Sequence, residues 1–267
     1  MNKNEITVAL LISTYNWPEA LELILQSILN QTKLPNEILI ADDGSNQATK
    51  ELIEVYRKKI NIPIHHTWQE DMGFRKARVL NMAVKLCKAD YIIEIDGDIL
   101  LHPKFIEDHI KNAKPGIFVQ GARASIGHNK TIEILGGKFH FANINILTNG
   151  IKSRFNAIRL PIFSFLLRET KSSYKNIKAC NLAYWRNDYI AVNGYDNQFH
   201  GWGWEDNEFA ARLIHAGVKK KRLKLAAIVY HLYHTHNANW EEKNNEKRYE
   251  ATIENKITAC LDGFNQI

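Results

Sequence analysis

The sequence predicts an α/β fold in which a parallel sheet is covered by helices. Two observations carry this: short β-rich runs alternate with helical periodicity through the first half, and the residues following the strands are polar. A third bounds the answer. With 267 residues, 45% apolar and 24% charged, the chain suits one large domain or two tightly packed subdomains.

Val8 to Ser13 reads as a buried strand, Glu19 to Asn30 as an amphipathic helix and Glu37 to Ala41 as the next strand. Ala48 to Lys59 is then helical, Ile64 to Trp68 a strand, Arg75 to Leu86 a helix and Tyr91 to Ile95 a strand, which completes a βαβ series. The second half is less regular. Ile117 to Gly121, Ile132 to Phe139, Ala179 to Trp185 and Ala226 to His231 read as strands, and Ile151 to Leu167 as a helix broken by Pro161. Helices follow at Asp206 to Ala216 and, closing the chain, at Lys243 to Leu261; no internal repeat or low-complexity linker interrupts them.

Composition excludes several classes. Cys87, Cys180 and Cys260 are far apart and form no C-x-x-C pair, so a zinc or redox centre is not expected and a reducing cytosol fits best. No signal-peptide core opens the chain and no apolar run approaches the ~20 residues that span a bilayer, so a soluble or peripheral protein is expected. The net charge is +6, with Lys219-Lys220-Lys221-Arg222-Leu223-Lys224 as the densest basic run. That run reads as a solvated loop or as contact with an anionic lipid surface. No helix-turn-helix, RNP-type or zinc-finger pattern supports nucleic-acid binding.

In open sheets of this kind ligands bind beyond the carboxyl ends of the strands. Ser13-Thr14-Tyr15-Asn16, Asp42-Asp43-Gly44-Ser45 and Asp96-Gly97-Asp98 occupy three such ends. Asp96 and Asp98, with a tight turn at Gly97, can face one hard cation, Mg²⁺ or Mn²⁺, that bridges a diphosphate; a D-x-D alone is also an ordinary turn. Asp42 and Asp43 suit either a helix cap or a carboxylate that accepts a base N–H and thereby selects uracil. Arg75 and Arg78 share a helix face near its N-terminus, where cations oppose the dipole, which points to a bound anion such as pyrophosphate.

Gly201-Trp202-Gly203-Trp204-Glu205-Asp206-Asn207-Glu208-Phe209 joins aromatic faces for sugar C–H groups, flexible backbone and adjacent acids able to deprotonate a hydroxyl. Core tryptophans with acids capping a helix would explain each residue singly but not the cluster. Val229-Tyr230-His231-Leu232-Tyr233-His234-Thr235-His236 ends a strand with several imidazoles, of which His231, then His234, is the candidate to complete the metal site.

Together these stretches resemble the family 2 glycosyltransferases of the GT-A fold, over nearly the whole chain. I-S-T-Y-N-W-P-E-A-L, A-D-D-G-S and I-D-G-D resemble that family's donor half. C-N-L-A-Y, N-G-Y-D, G-W-G-W-E-D-N-E-F and V-Y-H resemble the acceptor half of β-1,4-galactosyltransferases and bacterial chondroitin-polymerase domains. The resemblance implies a Rossmann-like mixed sheet flanked by helices with a C-terminal acceptor-binding subdomain: residues 1–112 for the nucleotide sugar, 113–267 for acceptor and catalysis.

It also implies Ser13, Tyr15 and Asp43 around the uridine, Arg78 near the nucleotide, and Asp96 near ribose or metal; Thr14, between Ser13 and Tyr15, is a further nucleotide-sugar-binding candidate. Asp98 and His231 match metal ligands, Asp206 the catalytic base, and Glu205 and Trp202 contacts to sugar. Inverting transfer from a UDP-sugar to a saccharide or glycolipid, with Mn²⁺ or Mg²⁺, is the implied reaction. Trp204 stands where glycine is common, and Asn207-Glu208 replaces a run of acids. Two other classes remain. A nucleotidyltransferase would carry a glycine-rich basic loop after its first strand, where this chain has Ser13-Thr14-Tyr15-Asn16-Trp17-Pro18. A non-catalytic carbohydrate-binding protein would not need strand-end acids.

Overall fold

The computed structural model describes residues 6–164, 169–171, 174, 177–235 and 242–267. β1 (Val8–Thr14) is buried almost throughout, as a parallel strand covered on both faces must be. α1 (Pro18–Leu29) begins on proline, which lacks the N–H that a first turn leaves unpaired. β2 (Glu37–Asp42) leads to α2 (Gln47–Lys59), whose cap Asn46 accepts the Ala48 N–H at 3.1 Å. β3 (Ile64–Trp68), α3 (Lys76–Lys85) and β4 (Tyr91–Asp96) complete the series in the expected places.

Beyond it come β5 (Ile99–Leu101), α4 (Phe105–Asn112), β6 (Ile117–Gln120), β7 (Ala122–Ile126) and α5 (His128–Leu135). β8 (Ile151–Lys152), β9 (Glu169–Lys171), β10 (Leu182–Trp185) and α6 (Arg186–Ala191) follow. α7 (Glu205–His215), β11 (Lys219–Arg222), β12 (Ile228–His231) and α8 (Glu242–Glu254) close the chain.

The main sheet runs β3-β2-β1-β4-β10-β6-β11-β9. Its first four strands are parallel, and β10 is antiparallel to both β4 and β6, so the sheet is mixed. Period-two alternation divides the core: Leu10, Ile12, Ile38 and Ile93 pack with α1 and α2, while Leu11, Leu39 and Ile92 pack with α3 and α7. A second sheet, β5-β12-β7-β8, has its own cluster containing Ile126, Phe141 and Tyr230.

The chain passes from one sheet to the other at Gly121. A Cβ there would lie 2.4 Å from the Asn181 amide and 2.6 Å from the Ala227 carbonyl. Asn181 holds this seam, donating to the Ala122 and Ala227 carbonyls at 3.0 and 2.7 Å, with His109 2.9 Å from its side-chain oxygen. A buried amide so fully partnered adds specificity without the cost of an orphaned polar group.

Four expectations change. Ile132 to Phe139, expected as a strand, is helical as far as Leu135, in α5, and turn beyond it: Thr131 and Ile134 are buried three apart while Ile132 is 55% exposed, a helical pattern that T-I-E-I-L mimics as alternation. The helix expected over Ile151 to Leu167 is instead β8 and two short 3₁₀ turns, with residues 165–167 outside the described ones. Phe155 and Ile162 are 83% and 77% exposed, so no apolar face exists there to bury a helix.

The basic run is not a solvated loop. Residues 219–222 form β11 between β6 and β9; Lys220 and Lys221 are buried, and the Lys221 ammonium donates to Asn112 at 2.9 Å. Long apolar stems let lysine occupy a strand while its head finds a polar partner. The last helix ends at Glu254 rather than Leu261, because Lys256 turns left-handed (φ 50°) and Ile257 N–H returns to Thr252 at 3.1 Å.

Candidate active site

The carboxyl ends of β1 and β4 lie side by side, Ser13 paired with Asp96. Gly97 passes so near β1 that a Cβ would sit 2.6 Å from the Ser13 carbonyl, so a larger residue would push the turn off the strand. Ser13 donates to Asp96 at 3.2 Å, and the Lys76 ammonium reaches the same oxygen at 2.8 Å. Lys76 is only 8% exposed and lies 3.9 Å from Glu205 and 3.8 Å from Asp206. Burial opposes its charge, but Asp206, Asp96, Glu205 and Glu94 outweigh that and hold it protonated well above the usual lysine range.

Glu205 and Asp206 open α7. Their placement in its first turn aligns both acids with the positive end of the helix. The Ala179 N–H donates to Asp206 at 2.8 Å, fixing one oxygen and leaving the other buried toward Lys76. Burial raises the Asp206 carboxyl, with Lys76 pulling it back down; burial and the Asp206 charge push Glu205 up to about 7. Beneath them Glu94, fully buried in β4, accepts from the Tyr184 and Tyr195 hydroxyls at 2.7 and 3.0 Å and is pushed up to about 8 by burial. The loop before α7 is pinned by Gly201 N–H to the Phe74 carbonyl at 2.9 Å. Trp202 is 47% exposed on it, and Trp204 caps α7 in the left-handed region (φ 72°) with its ring stacked on Tyr249 at 5.1 Å.

At the ends of β2 and β3 the two neighbouring acids part company. Asp42 is 1% exposed and internally engaged, accepting the Ser45 N–H at 2.7 Å and lying 2.9 Å from His66. Asp43 accepts the Arg75 N–H at 2.8 Å and a Gln69 N–H, and burial raises its carboxyl. Gln69 in turn accepts from Arg78 at 2.9 Å, while the Arg75 guanidinium donates to the Glu70 carbonyl. Arg75 and Arg78 thus take separate partners. Tyr15 is 52% exposed and donates to Asp71 at 2.8 Å; Thr14 is buried, its hydroxyl without a partner.

Asp98, His231 and His234 form a third group, with one ligand atom from each within 4.8 Å of the others. The two imidazoles lie 3.2 and 3.0 Å from the same Asp98 oxygen, and the other oxygen is buried without a partner. His231 and His234 therefore converge rather than compete, β12 supplying the first and the Leu232 N–H to Asp98 carbonyl bond (2.9 Å) turning the chain to deliver the second. His236 lies outside the described residues. A carboxylate with two imidazole nitrogens suits a transition ion such as Mn²⁺ better than Mg²⁺, which prefers oxygen. Asp96 stands apart from this group, engaged by Lys76 and Ser13.

Three members of the site were not singled out by sequence reasoning: Lys76, Gln69 and Glu94. Lys76 sits between two arginines whose spacing drew the attention. Glu94 left a trace, a lone acid inside the apolar strand Tyr91-Ile92-Ile93-Glu94-Ile95. Gln69 left none.

The family described as "Glycosyl transferase family 2" matches residues 9–175, and "N-terminal domain of galactosyltransferase" matches residues 164–235. Hyaluronan synthase of Pasteurella multocida is 26% identical over 230 residues, 79% of this chain and 23% of that protein. Chondroitin synthase of Escherichia coli is 25% identical over 238 residues, 84% of this chain and 34% of that protein. Validoxylamine A glucosyltransferase of Streptomyces hygroscopicus subsp. limoneus is 26% identical over 221 residues, 79% and 48% respectively. The chain therefore spans between 23% and 48% of the length of these relatives.

Two solved structures share the fold. GalNAc-T7 with UDP, GalNAc and Mn²⁺ aligns at a TM-score of 0.68 and 17% identity, covering 94% of this chain and 48% of that one. The mannosyltransferase PcManGT from Pyrobaculum calidifontis, in complex with GDP-Man and Mn²⁺, aligns at 0.56 and 15% identity, covering 85% and 57%. The fold is thus of the GT-A type.

Proposed function

Because the chain belongs to glycosyl transferase family 2 and is a glycosyltransferase, we propose that it moves a hexosyl unit from a UDP-sugar to a saccharide or glycolipid hydroxyl with inversion. One observation carries the reading most: Lys76 joins Asp96, at the end of β4, to Glu205 and Asp206, at the start of α7. This sets a candidate base, Asp206, and a neighbouring acid, Glu205, beside a donor-side carboxylate, an arrangement suited to displacement at an anomeric carbon.

Asp206 takes the acceptor hydroxyl proton as that oxygen attacks the anomeric carbon, and the sugar–diphosphate bond breaks on the opposite face. Lys76 keeps Asp206 ionised at neutral pH against its burial. Glu205, poised near neutrality, hydrogen-bonds the sugar, and Trp202 offers it an apolar face. Asp43, set by Gln69 and the Arg75 N–H, accepts the uracil N–H; Asp42 braces the turn behind it. Ser13, Thr14 and Tyr15 flank the nucleoside, Arg78 faces the diphosphate with Arg75 beside it, and Asp96 serves the ribose. Asp98, His231 and His234 would hold Mn²⁺, whose charge would offset that developing on a departing diphosphate. Residues 1–112 thus supply the donor side and residues 113–267 most of the acceptor side.

Among the described residues no helix is long and apolar enough to cross a membrane. Action at the cytoplasmic face of a membrane, in surface-polysaccharide or lipid-linked oligosaccharide assembly, fits three free buried cysteines and saccharide-polymer relatives.

The test is a thermal-shift and hydrolysis panel of UDP-Gal, UDP-Glc, UDP-GalNAc, UDP-GlcNAc and GDP-Man, with and without Mn²⁺. Stabilisation and slow hydrolysis of a UDP-sugar that require Mn²⁺ are expected. Preference for GDP-Man, or indifference to metal, overturns the donor assignment; nucleotide-sugar synthesis from UTP and a sugar phosphate would identify a nucleotidyltransferase instead.

A further inference from the structure

Alongside the acids, on the side of the sheet away from β2 and β3, lies a cavity of about 260 Å³ bordered by Arg123, Lys178, Arg222 and Lys224. The four cations come from three places in the chain: β7, the turn before β10, and the end of β11. Among the described side chains no carboxylate pairs with any of them; Glu169 stands across the β9–β11 ladder from Arg222, its side chain outside the described ones. Arg123 spends one N–H on the Cys180 sulfur at 3.7 Å. Burial lowers Lys178 from the usual lysine range, and Arg123 and Arg222 lower it further by repulsion. Like charges that converge repel one another, and an anion bound among them relieves that repulsion.

The cavity adjoins the reacting groups. Cys180 lines it and lies within the electrostatic reach of Asp96, Asp98 and Asp206. Lys178 immediately precedes Ala179, whose N–H holds Asp206, and Ser125 on the wall is paired across the β7–β12 ladder with His231. The remaining wall is polar, from Ser153, Asn156 and Asn181, so it suits hydroxyls as well as charge. Its volume is below the range of typical cofactor pockets, and the nucleotide-side residues lie across β4 and β10 from it. That volume and position suit a sugar unit rather than a second nucleotide.

We infer that this cavity is an anion-reading subsite, and that the saccharide substrate bears a carboxylate or phosphate held by Arg123, Arg222 and Lys178. The inference rests on the glycosyl-transfer reading of Asp206. Guanidinium pairs match planar oxyanions in a bidentate way, so Arg123 and Arg222 supply the selectivity and Lys178 adds charge.

The test uses isothermal titration of the Mn²⁺- and UDP-loaded protein with methyl β-glucuronide, methyl β-glucoside and glucose 6-phosphate, and of the Mn²⁺-loaded protein with UDP-glucuronic acid and UDP-glucose. An anionic member should bind about tenfold to a hundredfold more tightly than its neutral counterpart. That advantage should vanish in the Arg123→Gln/Arg222→Gln double variant and survive in part in Arg123→Lys, with unchanged melting temperatures reporting intact folds. An advantage on the free glycosides places the charge on the acceptor; one confined to UDP-glucuronic acid places it on the donor. Equal affinities for charged and neutral members, or a preference that persists in the double variant, overturns the subsite. Metal-dependent UDP-sugar hydrolysis by the unmodified protein is read separately: its absence beside an intact anion preference would sink the transfer reading and leave the subsite standing.

Discussion

Replacing Lys76 with methionine keeps the volume and removes the charge at the centre of the acid cluster. At 3.8 Å from Asp206 and an effective dielectric of about 20, the lost attraction is about 4 kcal/mol. Water entering the opened contact roughly halves that, leaving about 2 kcal/mol that favours the protonated, inactive base. The acid limb of kcat/KM should move up by about 1.5 pH units, so transfer falls by at most roughly thirtyfold, on that limb, and by less where Asp206 is ionised in both proteins. The loss is a protonation effect, so it has a sign: removing a cation raises the carboxyl, and activity should recover as pH rises. The assay is kcat/KM against pH for the wild type, Lys76→Met and Lys76→Arg under saturating Mn²⁺, with Lys76→Arg restoring most of the acid limb. A drop of equal size at every pH, with the acid limb unmoved, would refute the electrostatic role and leave Lys76 as packing.

Asp206→Asn should abolish transfer while UDP affinity, measured by titration, stays within about twofold, since of the two substrates the carboxyl faces the acceptor; equal loss of both removes it from the base role. His231→Ala and His234→Ala should each weaken Mn²⁺ binding by about one to two orders of magnitude, because losing a ligand costs at least as much as losing the group that orients one; a silent His234→Ala would exclude it from the set. Stability should fall through Glu94 as pH rises from about 4.5 to about 8: its folded carboxyl is raised, so the proton that favours the fold is fully bound at low pH and lost through the folded value. Glu94→Gln should flatten that part of the melting curve, and an unchanged slope would contradict it. Arg212→Met should cost about 3–5 kcal/mol in denaturant unfolding, because Arg212 is fully buried and grips Glu208 with two hydrogen bonds at 2.7 Å; a loss under 1 kcal/mol would mean that Glu208 had found another partner.

The βαβ half was legible because each strand and helix there declares its own period: Leu10 and Leu11 face opposite cores, and α1 starts on a proline. The second half depends on long-range pairing. Lys219-Lys220-Lys221-Arg222 has no strand signature and becomes one only because β6 and β9 offer it backbone partners. At the site, sequence order located the acids but not their company. Nothing local places Lys76 on Asp96, twenty residues on, or on Asp206, 130 residues on, because only the adjacency of α3, β4 and α7 brings them together. His231 and His234 were ranked as alternatives because three residues along an extended chain do not share a face; the turn after β12 is what makes them neighbours.

Trp204 holds a backbone conformation that costs a side-chain-bearing residue about 1–2 kcal/mol, at the residue before Glu205. Its indole rests against Tyr249 on α8. The aim of the two acids is thereby mortgaged to a helix that touches no reacting atom. Tyr249→Ala would leave every member of the acid cluster in the chain yet free the hinge that points them, so a lesion remote from the chemistry would read out as a blurred angle rather than a missing group.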